Sequence, residues 1–327
     1  MSAHPIAPKQ RLHIWQQNTN RSLTAQLDLL HSTAPLHYSV VAIQEPYIDF
    51  LGNSRATSHW HVVYPPNHHN NPKSTQSLLL ISKSLITTNA WMQIPIDSSD
   101  IMAIQLDSNI GAIHLYNIYN DGTHSMNLAQ LDTHLQTITT NRMENCDHKM
   151  IWVGDFNRHH PMWDESRNLH LFTSTNLSAA QPLLDLLATY GMTMALPKDI
   201  PTLEALNTKN YTRPDNVFCS AELTGSFVSC NTNPSACPPR TDHLPIISVL
   251  DTELPASTPT PCPNFRATDW SAFTEHLKAL LDTLSIPRRI STPVELTTAV
   301  ANRNHPRLLL SLRSQEPLES LQGSHLR

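Results

Sequence analysis

The chain has 327 residues, of which 39% are apolar and 15% are charged, and its formal net charge is −5. A globular protein of this length holds one large domain or two ordinary ones. The negative charge argues against a protein that holds nucleic acid mainly through a basic surface, but it allows an enzyme that meets phosphate through a divalent cation.

The N-terminal segment and the cysteines bear on the cellular compartment. The segment MSAHPIAPKQR has no apolar centre of the kind found in signal peptides, and no apolar run approaches the roughly 20 residues of a membrane span. Five cysteines are widely spaced, without a CxxC pair, which is typical of a reducing compartment. We therefore expect an intracellular protein, nuclear or cytoplasmic, that is not secreted and has no membrane partner.

Short runs rich in Ile, Val, Leu and aromatic residues, bounded by turn residues, predict strands. The predicted strands are 12–18, 39–45, 77–82, 101–106, 110–119, 150–156, 216–220 and 245–250. Helical spacing of leucines predicts a helix after a possible N-cap at Ser22, a second across 128–138, and a third across 183–190 that Gly191 stops. Many short strands with a few helices indicate a four-layer α/β sandwich, in which two mostly antiparallel sheets pack face to face and helices lie outside.

A proline-rich segment, PASTPTPCP at 255–263, predicts an extended linker and the best domain boundary in the chain. Residues 1–254 then form the main domain. Residues 264–327 are expected to be a partly helical tail, with one amphipathic helix in DWSAFTEHLKALLDTL, and to be too short for an independent core.

Polar side chains follow the predicted strands where each one ends or begins. They are Asn18, Asn20, Gln44, Glu45, Tyr119, Asn120, Asp155, Asn157, Asp215, Asp242 and His243. Strand ends at one edge of a sandwich converge, so we expect these side chains to share one cleft. Carboxylate and carboxamide oxygens suit Mg²⁺ or Mn²⁺ better than zinc. Each feature has a plainer interpretation when taken alone: Asp155 and Asn157 as a polar turn after a core strand, Tyr119 as a core tyrosine.

Taken in order, WQQNTN, AIQEPY, NIYND, VGDFN, RPDNVF and TDHLPI resemble the endonuclease/exonuclease/phosphatase superfamily across about residues 11–250. The continuation GDFNRHHPMW is most similar to the apurinic-like endonuclease domain of non-LTR (LINE-type) retrotransposons, and the linker with NFRATDWSAFTEHL resembles the segment that precedes the reverse transcriptase in those polyproteins. The resemblance implies a DNase I-like fold.

The resemblance also implies roles for individual residues. Glu45 matches the principal metal-binding glutamate, with Asn18 beside it and Asp242 near the metal, which would be Mg²⁺ or Mn²⁺. Asp155 matches the aspartate that activates or orients the attacking water, and Asn157 the amide that helps to hold that water.

Three further positions complete the implied catalytic set. Tyr119 matches the tyrosine that touches the scissile phosphate, and His243 matches the histidine that contacts a phosphate oxygen. Asp215 matches the aspartate that hydrogen-bonds this histidine, so the pKa of His243 is expected to be raised. The implied reaction is one-step hydrolysis of a phosphodiester in double-stranded DNA, which leaves 3′-OH and 5′-phosphate ends.

Some residues depart from the pattern or stay ambiguous. Asn20 stands where repair enzymes of the superfamily carry an aspartate near the metal. His159 and His160 match no common zinc spacing, and a loop that closes over DNA or supports Asp155 is the preferred interpretation. His68 and His69 are interpreted as part of a surface loop. Arg240 is either a phosphate contact or an ordinary exposed arginine.

Three functions compete at this stage. The first is a metal-dependent endonuclease that nicks target DNA for retrotransposition, whose intact parent element would carry a reverse transcriptase region absent from this chain. The second is a phosphatase or phosphodiesterase of the same superfamily acting on a small molecule. The third is a folded remnant that binds nucleic acid or a partner without catalysis.

Overall fold

The computed structural model describes residues 11–141, 149–255 and 269–282. The chain divides into two compact units, Met1–Thr260 and Pro261–Arg327. The division falls inside the predicted linker, of which residues 256–263 lie outside the described residues, as does the tail beyond residue 282. The assignment of 264–327 to a polyprotein segment stays a prediction.

In its described residues, the first unit contains two six-stranded sheets and three α-helices. The first sheet comprises β1 (Leu12–Asn18), β2 (Val40–Gln44), β3 (Trp60–Val63), β4 (Ser77–Ser82), β13 (Phe227–Thr232) and β14 (Ile246–Leu250). The second comprises β5 (Trp91–Ile94), β6 (Ile101–Ser108), β7 (Gly111–Tyr119), β8 (Lys149–Asp155), β9 (Met192–Met194) and β12 (Asp215–Ser220). A small ribbon pairs β10 (Leu203–Glu204) with β11 (Tyr211–Thr212), and the helices are α1 (Leu23–Ser32), α2 (Met126–Asn141) and α3 (Ser174–Thr189).

Strand order is β13-β14-β1-β2-β4-β3 in the first sheet and β5-β6-β7-β8-β12-β9 in the second. Each sheet has one parallel pair at its centre, β1 with β2 and β7 with β8, and its other pairs are antiparallel. A parallel pair needs a crossover connection, which α1 supplies in the first sheet and α2 in the second.

Alternation along the central strands builds the layers. In β2, Val40 and Ala42 join the core between the sheets, while Val41 and Ile43 face a second core that includes Leu29 of α1. In β8, alternate residues likewise enter the shared core and a third core with leucines of α2 and α3. Strands that are buried on both faces form nearly continuous apolar runs, which is why the sequence predicts these central strands. The predicted four-layer α/β sandwich of DNase I type is confirmed.

The predicted helix boundaries also have local causes. The hydroxyl of Ser22 accepts the N–H of Ala25 at 3.2 Å and caps α1, as predicted. Helix α3 begins at Ser174, earlier than the leucine pattern indicated, because Thr173 caps it by accepting the N–H of Asn176. It ends at Thr189, and Gly191 follows with φ of +60°.

In the second unit, α4 spans Trp270–Asp282, and the carboxylate of Asp269 accepts the N–H groups of Ser271 and Ala272 at its start. This confirms the helix predicted in the tail. None of the helices in the described ranges has the length and apolar character that a membrane crossing requires.

All eight predicted strands are present. The ribbon strands β10 and β11 were not predicted, and neither were β3, β5, β9 and β13. These four are the outer strands of the two sheets. The prediction for His68 was wrong, because its side chain is buried. Its Nδ1 lies 2.7 Å from the hydroxyl of Thr75, its Nε2 lies 2.8 Å from the carbonyl of Gly52, and its ring stacks on Tyr64. His69 is exposed, as expected.

Candidate active site

The carboxyl ends of the two parallel pairs lie at one edge of the sandwich. Asn18 ends β1 and Glu45 follows β2, while Tyr119 ends β7 and Asp155 ends β8. Asp215 begins β12 directly opposite Asp155 in the antiparallel register. The two sheets thus bring together side chains that are far apart in the sequence.

Asp155 is the buried centre of this cluster. Its Oδ2 accepts the Nδ2–H of Asn18 at 2.9 Å, and its Oδ1 accepts the backbone N–H of Asn157 at 3.0 Å. Burial raises the pKa of Asp155 and the negative charge of Asp215 raises it further, while His243 and the two hydrogen bonds oppose the rise. The net effect is a raised pKa, so this carboxyl takes up a proton more readily than an ordinary aspartate.

His243 reaches across from the first sheet to the second. Its Nδ1 lies 2.9 Å from Oδ2 of Asp215, and its Nε2 lies 4.0 Å from Oδ2 of Asp155. Burial alone would lower the pKa of His243, but the carboxylates of Asp215, Asp155 and Asp242 outweigh it and raise the pKa to about 10. The imidazole is therefore a cation at neutral pH, held with Nε2 towards the cluster.

Glu45 lies at the more open side of the site. Its Oε1 accepts the Nδ2–H of Asn18 at 3.2 Å, and the hydroxyl of Tyr119 donates to the same carboxylate. Burial first, and then the charges of Glu45 and Asp155, raise the pKa of Tyr119 far above its ordinary value, so the phenol keeps its proton. The guanidinium of the exposed Arg21 lies 3.8 Å from Oε2 of Glu45.

Several residues of the site have left-handed backbone conformations. The φ angles are +46° at Glu45, +49° at Asn157, +50° at Asn20 and +51° at Arg21. Such angles cost a non-glycine residue about 1–2 kcal/mol each. The surrounding hydrogen bonds hold them, among them Arg21 N–H to the carbonyl of Glu45 at 2.8 Å. The loops that leave the strands are thereby fixed in shape.

The donor set fits a hard divalent cation on the Glu45 side. Glu45 offers a partly exposed carboxylate whose Oε1 accepts the Nδ2–H of Asn18, and Mg²⁺ is commonly held by one or two carboxylates together with substrate phosphate. Among the described residues, Asp155, Asp215 and His243 also bring three ligand atoms within 4.8 Å of one another. Because Asp215 already bonds His243 and accepts the hydroxyl of Thr202 at 2.8 Å, we interpret Asp215 and His243 as a hydrogen-bonded dyad beside Asp155 and not as metal ligands.

Buried amides join the sheets just behind the site. Gln16 of β1 donates to the carbonyl of Gly154 in β8 at 3.0 Å, and Gln44 of β2 donates to Asn117 of β7. Gly154 has φ of +151°, and a Cβ there would lie 1.9 Å from the carbonyl oxygen of Ile118. Only glycine allows β7 and β8 to approach this closely immediately before Asp155.

The remaining predicted residues lie around this cluster. The side chain of Asn157 donates to the carbonyl of Asn120 at 3.0 Å, and Asp242 faces Nε2 of His243 at 3.9 Å. Asn20 is exposed, and its backbone N–H donates to Oδ1 of Asn18 at 2.8 Å.

The paired histidines after Asp155 have structural partners of their own. His159 Nδ1 lies 3.0 Å from Asp164. His160 accepts the N–H of Met162 at 3.1 Å and lies beside the ring of Trp163. These contacts form a local turn. The preferred interpretation, a loop that closes over DNA or supports Asp155, stays a prediction.

Three supporting residues were not singled out from the sequence. Thr202 donates to Asp215 and orients it. Arg158 is buried and donates to the carbonyls of Ala179, Asp121 and His124, which fixes the loop after Asn157. Arg213 is buried before Asp215 and donates to the carbonyls of Trp163, Pro197 and Leu196. The two arginines lie beside the quoted motifs, in GDFNRHH and RPDNVF, but their contacts are long-range and leave no local signal.

Comparison with known proteins bears on the class of fold. Residues 113–247 match the family described as endonuclease-reverse transcriptase, and this segment includes Tyr119, Asp155, Asp215 and His243. No curated protein sequence matches the chain. Of the site residues, Asn18 and Glu45 lie outside the matched segment.

Three solved structures are similar to this chain. The endonuclease domain of TRAS1, a telomere-specific non-LTR retrotransposon, is 16% identical, with a TM-score of 0.55 and coverage of 73% of this chain and 98% of that one. The AP endonuclease LMAP from Leishmania major is 14% identical, with a TM-score of 0.60 and coverage of 75% and 89%. The 3′ phosphatase NExo from Neisseria, bound to a product DNA hairpin, is 16% identical, with a TM-score of 0.54 and coverage of 73% and 99%.

These structures share the fold of this chain, a DNase I-type α/β sandwich. The particular resemblance, to the endonuclease domain of non-LTR retrotransposons within the endonuclease/exonuclease/phosphatase superfamily, is confirmed.

Proposed function

We propose that this protein is a metal-dependent endonuclease that hydrolyses a phosphodiester of double-stranded DNA and leaves 3′-OH and 5′-phosphate ends. The observation that carries the proposal is the cross-sheet cluster, in which Asn18 links Glu45 to Asp155 while His243 bonds Asp215. The cluster brings together a candidate base (Asp155), a protonated imidazole (His243) and a partly exposed carboxylate (Glu45).

Asp155 is the proposed base for the attacking water. Its raised pKa matches the requirement that a general base be able to take a proton near neutral pH. Asn18 and the backbone N–H of Asn157 fix the two carboxylate oxygens, so the carboxylate cannot rotate away. Asn157 is proposed to help hold the water as well.

His243 is proposed to hold a non-bridging oxygen of the scissile phosphate through Nε2–H. Asp215 accepts the hydrogen bond from Nδ1–H, and its negative charge keeps the ring protonated. The hydroxyl of Thr202 donates to Asp215 and fixes it in turn. A fixed cation aimed at developing negative charge stabilises it without reorganisation. Tyr119 keeps its phenol proton, and the hydroxyl is proposed to donate a hydrogen bond to the phosphate in place of its bond to Glu45.

Glu45, Asn18 and Asp242 are the residues proposed to hold Mg²⁺ or Mn²⁺. When bound, such a cation neutralises phosphate charge and stabilises the leaving oxygen. Arg21, which is exposed and lies against Glu45, would then be released towards solvent or substrate. The net charge of −5 makes the cation important for DNA binding as well as for chemistry.

The biological role is proposed from the resemblance to retrotransposon endonucleases. A nick that exposes a 3′-OH provides a primer, and the parent element would supply a reverse transcriptase region to extend it. Such a role requires access to chromosomal DNA, so we expect a nuclear or cytoplasmic, intracellular protein.

The test is nicking of supercoiled plasmid by the full chain with Mg²⁺, beside Glu45→Ala and His243→Ala. Glu222→Ala and His59→Ala are matched controls, because these side chains are exposed and lie outside the site. We expect both site variants to lose nicking and both controls to keep it. Intact plasmid with phosphate released from a 3′-phosphorylated oligonucleotide would favour a phosphatase. A wild-type protein inert on every substrate would favour the folded remnant.

A further inference from the structure

The loop that follows Glu45 carries an exposed apolar tip. We call Phe50 and Leu51 the tip; Phe50 is 88% exposed and Leu51 is 69% exposed. Phe50 is the most exposed large apolar residue in the described part of the chain. Large apolar side chains left in water on a stable loop commonly mark a contact surface.

The loop itself is built as a rigid turn. The carboxylate of Asp49 is buried and accepts the N–H groups of Leu51 and Asn53, both at 2.9 Å. The backbone of Asp49 also exchanges hydrogen bonds with Asn53 and Gly52, at 2.8 and 3.2 Å. A β-bridge between Ile48 and Ser54 closes the base of the turn. These bonds fix the backbone on both sides of the tip.

Neighbouring segments brace the same turn from outside. The ring of His68 reaches the carbonyl of Gly52 at 2.8 Å, and the ammonium of Lys73 reaches the carbonyl of Ile48 at 2.5 Å. The phenol of Tyr64 accepts the N–H of Ser54 at 2.8 Å. This explains the burial of His68. Seven hydrogen bonds and one β-bridge thus hold this turn, while its tip is exposed.

The tip is also close to the proposed cleavage centre. Phe50 lies five residues after Glu45, so their Cα atoms are at most about 17 Å apart. That limit corresponds to roughly five base steps of duplex DNA, at about 3.4 Å per step. The tip is therefore no farther from a phosphate held at Glu45 than about five base steps of the duplex. Apolar side chains that meet duplex DNA in this way act as wedges between base pairs.

We propose that Phe50 and Leu51 form an apolar wedge that unstacks a base step of duplex DNA near the cut. This inference rests on the proposed function, since it takes the same duplex as substrate. Unstacking is least costly at flexible pyrimidine–purine steps. The wedge would therefore fix where the enzyme nicks, which makes the tip a specificity element and leaves the chemistry to the site.

The test uses the full chain with a double variant, Phe50→Ala with Leu51→Ala. Leu36→Ala is the matched control, because Leu36 is 76% exposed but precedes β2, at the opposite end of that strand from the tip. Duplexes carrying 2-aminopurine at successive positions are bound with Ca²⁺ in place of Mg²⁺, so that a hard divalent cation is present for binding while cleavage is slow. Plasmid nicks made with Mg²⁺ are mapped by sequencing in parallel.

We expect wild type and Leu36→Ala to raise 2-aminopurine fluorescence at one step, and the double variant not to do so. We also expect the double variant to bind duplex roughly 10-fold more weakly and to spread its nicks over many more sequences. If the double variant nicks the same positions with the same fluorescence, the wedge is wrong and the endonuclease stands. If wild type shows tip-dependent fluorescence but never nicks, the wedge stands and the endonuclease is wrong. If the double variant changes only self-association in sedimentation, the tip is a contact between copies.

Discussion

The two sheets have the same sequence of pair types, yet they present different chemistry at the shared edge. Each has a central parallel pair joined by a helix and flanked by two antiparallel pairs on either side. The first pair delivers Asn18 and Glu45, and the second delivers Tyr119 and Asp155. The same strand arrangement therefore presents different polar side chains at the carboxyl ends of the two parallel pairs.

The difference lies in solvent access. The side chain of Glu45 is 20% exposed and lies beside the exposed Arg21, whereas Asp155 is 1% exposed and lies under His243. An accessible carboxylate suits an exchangeable cation, and a dry one suits proton transfer because burial raises its pKa. Contacts between the sheets, such as Asn18 with Asp155, make the two ends one site. Solvent access, more than residue type, therefore separates the proposed roles of the two carboxylates.

The largest expected effect on the nicking rate comes from a change at Asp155, the buried carboxylate. Asp155→Asn keeps the size of the side chain but cannot take a proton, so we expect nicking to fall by roughly 10²–10⁴-fold. The Mg²⁺ concentration for half-maximal rate should change little. Single-turnover nicking across an Mg²⁺ titration measures both, and a variant that recovers full rate at high Mg²⁺ would place Asp155 with the cation instead.

The open end should behave in the opposite way. Glu45→Gln removes the charge that attracts the cation, so we expect the Mg²⁺ requirement to rise by about 10–100-fold, with much of the rate restored at high Mg²⁺. The same titration provides the measurement. An unchanged Mg²⁺ requirement with a lower maximal rate would contradict the division of roles.

The contact between His243 and Asp215 predicts that the stability of the metal-free protein depends on pH. The folded protein raises the pKa of His243 from 6.5 to about 10. Protonated His243 therefore adds stability fully below about pH 6.5, and this contribution is lost as pH rises towards 10. Asp215→Asn should flatten the decline over that range, as measured by urea unfolding in EDTA. Parallel curves for the two proteins would show that Asp215 does not hold the proton.

The smallest effect concerns Arg21. Its exposed ion pair with Glu45 at 3.8 Å should contribute less than about 1 kcal/mol to the free energy of unfolding. Removing this competing cation with Arg21→Ala should lower the Mg²⁺ requirement slightly. Calorimetric Mg²⁺ binding compares it with Arg21→Lys, which keeps the charge, and weaker binding by Arg21→Ala would make Arg21 a helper of the metal site.

The sequence revealed the sandwich where strands are buried on both faces, and it missed strands at the edges. In β13 (FVSCNT) only Cys230 is buried, and β5 (WMQI) has no buried residue. An outer strand packs on fewer sides, so it needs fewer apolar residues and loses the pattern that marks a central strand. The same reasoning covers β3 and β9, which are four and three residues long.

The site divides in a similar way. Residues at strand ends, such as Glu45 and Asp155, were identified because strand ends mark a position in space. Thr202 and His68 were missed or misread, because what defines them is a partner elsewhere, Asp215 for one and Gly52 for the other. Hydrogen bonds between distant segments leave no spacing that a single sequence can show.

The pairing of β1 with β14 bears on the order in which the protein assembles. Leu12 pairs with Leu250, so the first sheet is complete only when the last strand of the domain has joined it. The second sheet is built from residues 91–220 alone. Contacts between distant residues form slowly, and we expect the second sheet to gain protection first in pulsed hydrogen exchange. Glu45 follows β2 and His243 precedes β14, so both are positioned by strands of the first sheet. A nascent chain would then carry Asp155 without its cationic partner, and the proposed nuclease activity would begin only when both sheets have formed.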